Sequence, residues 1–271
     1  MKEEEKITCP LETEDAKYFR VLWENSLQTK DSDGFDIEDD VPCFGMHYYD
    51  CEDPYPTYPF PNLLKLYAML GLHRYHMLEG TRFDLHRLKK VNQEGCAASS
   101  YYIKLATNPN TDPQKQTFQV RVDEERLGKL DLICSIARPQ GTPNEPFKPY
   151  ISRGGLPDWL TDIALNDRNR FYMVKRQELL GTDWIYLYLQ LVLCSHDRRL
   201  SLDDMSYLEL VEAVIEPIEQ VVPELPRLNA KSAIVYITYK DSRIDEPADR
   251  KAIVRRVIDE GYLSLRGELW T

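Results

Sequence analysis

No CxxC pair, no Asn-X-Ser/Thr acceptor and no apolar run of membrane-spanning length occurs in this chain. Each absence narrows what the protein can be. Six cysteines (Cys9, Cys43, Cys51, Cys96, Cys134 and Cys194) are scattered through 271 residues of which 42% are hydrophobic. A core of that size needs no disulfide staples, which points to a reducing compartment. The N-terminal MKEEEKITCPLETED has no apolar signal core, and the longest apolar run, WIYLYLQLVLC, is too short for a bilayer. The expectation is a soluble intracellular protein, cytoplasmic or nuclear, with no membrane partner. Basic residues are the minority: 34 Lys and Arg stand against 45 Asp and Glu, a net charge of -11. A phosphate-neutralising surface would work against that field, so nucleic acid is not expected as a partner. A Gly-rich phosphate loop, a G-x-S-x-G elbow and an H-E-x-x-H pair are all missing, so neither catalysis nor a cofactor is expected.

What is present is clearest over residues 83–139. Phe118, Val120 and Val122 alternate with Gln119 and Arg121, Leu130, Leu132 and Cys134 form a returning face, and residues 125–128 supply the turn. Just before them, Leu63, Leu66, Tyr67, Leu70, Arg74 and Met77 recur near helical spacing. The pattern predicts an α+β fold, one long helix over an antiparallel sheet. A helix is also expected over 13–28, capped by Thr13.

Four segments follow from this: a helix with an acidic and Pro-rich lead-in (1–61), the helix and sheet (62–139), a Pro/Gly-rich linker (140–169) and a mainly antiparallel β unit (170–271). The last of these segments repeats the order of the second. YLELVEAVIEP, SAIVYITYKD and RKAIVRRVIDEGYLSLRGEL parallel FDLHRLKKVN, SSYYIKLAT and TFQVRVDEERLGKLDL, and the hairpin corner VDEERLGKL returns as IDEGYLSL. Two segments stay open. By its alternation 184–194 reads as a strand, paired with RFYMVKR across 181–183, but the repeat would make it a helix; 207–218 suits either.

Candidate chemistry is sparse. KDSDGFDIEDD (30–40) misses the twelve-residue calcium pattern, and PYPTYPFP (54–61) reads as a rigid lead-in before it reads as a polyproline ligand. His73, His76 and His86 lack a third and fourth metal ligand at usable spacing, so no metal is expected. Cys96 has no neighbour that would activate it, while Cys134 and Cys194 read as buried. Tyr101, Tyr186, Tyr188 and Tyr236 fall on the polar phase of their segments and read either as interface surface or as cover for a second sheet face. Arg255 and Arg256 read as a solvated strand edge.

RFDLHRLKKVNQEGCAASSYYIKLAT followed by TFQVRVDEERLGKLDLICSIARP resembles the cystatin and monellin layout. GGLPDW, NDRNRFYMVK, DWIYLYLQL, AIVYITYKD and AIVRRVIDE together resemble a plant family of the male-sterility-five type, uncharacterised and cystatin-related, from residue 19 onward. Cystatins block papain-like proteases with a glycine ahead of the helix, a Gln-X-Val-X-Gly hairpin loop and a Pro-Trp pair on the next hairpin. Counted back from Tyr101 and Tyr102, the first loop falls on Glu94, Gly95, Cys96, Ala97 and Ala98, with all three signature positions changed. The second falls on 123–128, including Asp123, Glu124 and Glu125, with neither Pro nor Trp; no glycine lies between Gly45 and Gly71. The resemblance thus implies a non-catalytic scaffold that binds an unknown protein partner through these loops, the eight residues named being its contacts. The alternative is cysteine protease inhibition through 94–98, and a third reading is an enzyme whose His/Asp/Glu set forms only in the fold.

Overall fold

In the computed structural model the helix and hairpins expected before residue 139 are present. β1 (Met46–Asp50) precedes α1 (Pro61–Glu79), and β2 (Phe83–Glu94), β3 (Ser100–Pro109), β4 (Gln116–Glu124) and β5 (Leu130–Pro139) follow. The second half runs β6 (Tyr172–Met173), α2 (Arg176–Leu180), α3 (Asp183–His196), α4 (Leu202–Ser206), β7 (Leu208–Pro217), β8 (Ala233–Asp241), β9 (Arg250–Asp259) and β10 (Tyr262–Trp270). The structure describes residues 33–36, 45–53, 59–109, 116–143, 154–161, 163–218, 227–243 and 248–270, plus Glu14, Lys17, Tyr18, Arg20, Val21 and Glu24, which are helical. Most of the acidic stretch 30–40, residues 54–58 of the proline run, and Cys9 and Cys43 lie outside the described residues.

The strands form one antiparallel sheet in the order β1-β2-β3-β4-β5-β10-β9-β8-β7-β6. The two halves therefore meet at the β5·β10 pair, in the middle. That seam is symmetric: Leu132 faces Leu265, and the pair Leu263 with Cys134 is matched by Gly267 with Leu130. Arg266 binds Asp131 through both carboxylate oxygens, at 3.0 and 3.2 Å. The outer hairpins also share a feature, since the β2–β3 ladder slips after Leu85 and the β7–β8 ladder slips after Leu210, each at the third residue of its strand.

α1 begins with Pro61 and ends where Gly80, in the left-handed region, donates its N–H to His76 O, the usual stop for a helix. Leu63, Leu66, Tyr67, Leu70 and Arg74 of the expected stripe are all buried. Burial of each leucine is worth roughly 1.5–3 kcal/mol, which is why the stripe, and not local propensity, holds the helix down. Gly71 is the closest point of approach: a Cβ there would overlap both methyls of Val120 on β4.

Residues 184–194 are a helix, so the strand reading is corrected. α3 buries Ile185, Leu187, Tyr188, Leu189, Leu191, Val192 and Cys194. A helix apolar on nearly all sides shows no 3.6-residue stripe, and its Ile and Leu residues mimic alternation. Residues 207–218 form strand β7. RFYMVKR contributes only the two residues of β6, which pair with β7 and not with 184–194.

Where the helices meet, His73 Nε2 lies 2.9 Å from Tyr188 Oη, and Trp184 stacks on the His73 ring. Arg256 lies beneath, its guanidinium 4.5 Å from the Trp184 ring and its Nη1 donating to Tyr188 Oη at 3.2 Å. Arg256 is 1% exposed, which corrects its reading as a solvated edge. On the other face of the sheet, Phe171, Val214, Ile234, Tyr236 and Ile253 pack under Leu156, Trp159 and Leu160. Tyr101, Tyr188 and Tyr236 are buried and Tyr186 half-buried, so these tyrosines are core cover, not an exposed binding surface. No described helix is long and apolar enough to cross a membrane.

Candidate functional site

The eight contact residues expected from sequence fall on two neighbouring hairpin ends. β2 and β3 are joined through residues 95–99 and β4 and β5 through 125–129, and Ser100 faces Asp123 across the β3–β4 ladder. Glu124 N donates to Ser99 O at 3.0 Å, which ties one turn to the other. The first turn is closed from within: Cys96 N donates to Glu94 O, Ser99 Oγ to Cys96 O at 2.7 Å, and Gln93 Nε2 to Ser99 Oγ at 3.2 Å. Tyr102 Oη donates to Glu94 Oε1 at 2.8 Å, so Glu94 belongs to the frame of the turn.

The second turn is anchored by a buried carboxylate. Glu124 accepts from Tyr67 Oη at 2.6 Å, from Arg198 Nη2 at 2.8 Å and from the Ser99 N–H at 3.3 Å. A buried carboxylate needs such partners. Burial first, and then the Glu124 charge, hold the Tyr67 hydroxyl well above its ordinary 10.0 and Tyr101 at about 12, so both phenols stay protonated; Tyr67 donates to Glu124, while Tyr101 Oη accepts from Arg198 Nη1 at 3.3 Å. Asp123 is held by Arg121 Nε at 2.9 Å and by Ser135 Oγ.

The contact set therefore divides. Glu94, Asp123 and Glu124 position the turns; Gly95, Cys96 and Ala97 are exposed at the first, and Ala98 and Glu125 are half-buried beside them. Exposed residues were missed at both turns, Leu127 and Gly45 among them. Leu127 is 58% exposed at the tip of the second turn. Gly45, immediately before β1, accepts at 2.5 Å from Gly95 N and so lies against the first turn. The signal for Leu127 was an apolar residue inside a four-residue turn, whereas Gly45 joins only through the Met46 to Glu94 register, which no local pattern carries. The result is a rim of small and apolar groups beside the exposed Arg126 and Lys129, on a rigid base, able to enter a concave surface.

The histidines are not gathered. His73 meets Tyr188, His86 lies beside Asn108, and among the described residues no three His, Cys, Asp or Glu side chains are placed to share a metal ion. Cys134 and Cys194 are fully buried, and burial pushes each thiol up to about 12.

Residues 156–265 match the family model described as Protein MS5. The UPF0725 protein EMB2204 of Arabidopsis thaliana is 48% identical over 262 residues, covering 90% of this chain and 79% of its own. A second UPF0725 protein of Arabidopsis thaliana is 49% identical over 253 residues, covering 88% and 79%. The crystal structure of MS5 from Brassica napus aligns with a TM-score of 0.68 at 34% identity, covering 78% of this chain and 99% of that one.

Proposed function

The chain belongs to the plant MS5 family, with the UPF0725 proteins as relatives, and on that premise we propose that it is a non-catalytic protein-binding module built from two cystatin-like units. The observation that carries this reading is the rim: Gly45, Gly95, Cys96, Ala97 and Leu127 stand exposed at one end of the sheet, on turns fixed from below by Glu124. Rigid anchors presented without an ordering cost are what a binding edge requires. The two-unit reading is supported by the order of each half, a strand, a long helix and four strands, with the short α2 and α4 flanking the long helix in the second half, and by the shared slip in the outer hairpins and the symmetric seam. These features accord with duplication and fusion through the central strands.

A second reading gives the same rim a particular partner, a papain-like cysteine protease. Its support is that a glycine-bearing segment and two hairpin turns line up side by side, as the cystatin arrangement requires. Both readings rest on one surface, so one experiment separates them. The reduced protein is titrated against papain with a fluorogenic peptide, and the same protein, beside Ala97→Glu and Leu127→Glu variants, is used for affinity capture from plant tissue. Stoichiometric inhibition selects the protease. A protein captured by the native rim and lost in both variants, without inhibition, supports a different partner. Capture unchanged by both substitutions removes the rim from consideration.

A further inference from the structure

At the far end of β5 from the rim the sheet has a notch. The β5·β10 ladder stops at Cys134 with Leu263. β5 runs on to Pro139, while the chain opposite turns through Glu260 and Gly261 into β10. Arg74 of α1 spans the gap, with Nε donating to Gly261 O at 2.7 Å and Nη1 to Ala137 O at 3.4 Å. The residue is 9% exposed, yet the hydrogen bonds it makes among the described residues go to these two carbonyls, and no described carboxylate forms an ion pair with it. A guanidinium removed from water and answered only by two neutral carbonyls lacks the anion that charge-assisted pairing would supply.

Arg74 lines a cavity of about 530 Å³, within the size range of small-ligand sites. Two further arginines line it: Arg121 donates Nε to Asp123, and Arg138 donates Nη2 to Asp33 at 2.8 Å. Glu79 and Glu260 also line it, both exposed and neither in an ion pair with a described residue. A simple polyanion would meet repulsion from these two carboxylates. A ligand with an anionic end for Arg74 and a cationic end for the glutamates would satisfy both sets.

We propose that this cavity binds a small zwitterion, its carboxylate on Arg74 and its ammonium toward Glu79 and Glu260. Free amino acids and the termini of short peptides both carry that pair of groups. The site is separate from the rim, and its failure would leave the protein-binding reading untouched.

The test is a titration of the full chain, followed through the amide signals of Gly261 and Ala137, with a panel of free amino acids, dipeptides, N-acetyl amino acids, amino-acid amides and inorganic phosphate. A free amino acid or a dipeptide shifts both signals, and whichever is tighter names the source. Masking either charge weakens binding by about tenfold. Arg74→Lys, which keeps the charge but not the planar fork, weakens the zwitterion similarly. Glu260→Gln weakens it while leaving the N-acetyl form unchanged. The proposal is overturned if no panel member up to about 10 mM, near the weak limit of specific binding, shifts the two signals. It is equally overturned if phosphate binds best, or if Arg74→Lys, folded as judged by its spectrum, binds as the native chain does.

Discussion

Arg198 Nη2 stands 2.8 Å from Glu124 Oε2, with the side chains 17% and 2% exposed. The contact runs from just past the end of α3, in the second half, to the β4–β5 hairpin of the first. Arg74 makes the reciprocal reach, from α1 to the carbonyl of Gly261 in the β9–β10 turn. Each half thus steadies the central hairpin of the other.

Breaking the first of these contacts should be expensive. Arg198→Met leaves Glu124 charged and buried with only Tyr67 and Ser99 as donors, and removal of one partner from a buried pair typically lowers stability by about 3–5 kcal/mol. Urea unfolding of Arg198→Met, Glu124→Gln and the double variant will show a double-variant loss well short of the sum of the singles. Strict additivity would mean that the pair is not coupled.

Gly71→Ala is expected to destabilise by roughly 1–3 kcal/mol, because the new methyl overlaps Val120 where α1 lies closest to the sheet. Val120→Ala in the same chain should recover part of the loss. Thermal unfolding of the three variants measures both, and a neutral Gly71→Ala would show that α1 can lift freely.

Residues 61–139 were legible where apolar positions alternate with polar ones, so period 3.6 at Leu63, Leu66, Tyr67 and Leu70 and period 2 at Phe118, Val120 and Val122 could be read without context. α3 was not, since burial on nearly every side erases the stripe. Arg256 and Glu124 were misplaced for a related reason. A charge in a strand reads as a solvated edge, and one at a corner as an exposed contact, unless its partner is known, and Arg198 lies 74 residues from Glu124. The hairpin ends of the rim could be located by counting from Tyr101 and Tyr102. Which of their residues point outward depended on hydrogen bonds that no spacing encodes.

His73 gives the protein an acid-sensitive joint. Packing between the helices, first through burial and then through the Arg256 and His76 charges, holds His73 well below its ordinary 6.5. The unfolded chain therefore takes up a proton just below pH 6.5 that the folded chain refuses, and stability falls as pH falls through that window, by up to about 1.4 kcal/mol per unit. Asp204 and Asp241, held below 3.8 mainly by hydrogen bonds, act only in stronger acid. Denaturant midpoints between pH 7 and 5 should flatten in His73→Gln and not in His76→Gln; parallel slopes in all three proteins would contradict the assignment.

Thiol chemistry reports on the rim. In a Cys9→Ser, Cys43→Ser background, Cys96 is the one exposed thiol among the four that remain; Cys51 is half-buried, its thiol pushed to about 12 first by burial and then by Asp50 and Glu52. A maleimide at neutral pH should modify one cysteine quickly and three slowly, and Cys96→Ser should abolish the quick phase. Rapid reaction at Cys134 or Cys194 would mean that the core opens on the same timescale.

The place of β10 in the sheet has a consequence for how the protein is made. It is made after the nine other described strands, yet it lies between β5 and β9 and alone joins them. Between synthesis of Pro139 and of Tyr262, at roughly 5–20 residues per second, β5 waits as an open edge for on the order of ten seconds. Unpaired edges recruit other strands. Nascent chains on one message carry the same bare edge at the same time, so slow translation of the second half should favour association between neighbouring chains, while the finished protein hides the strand that permits it.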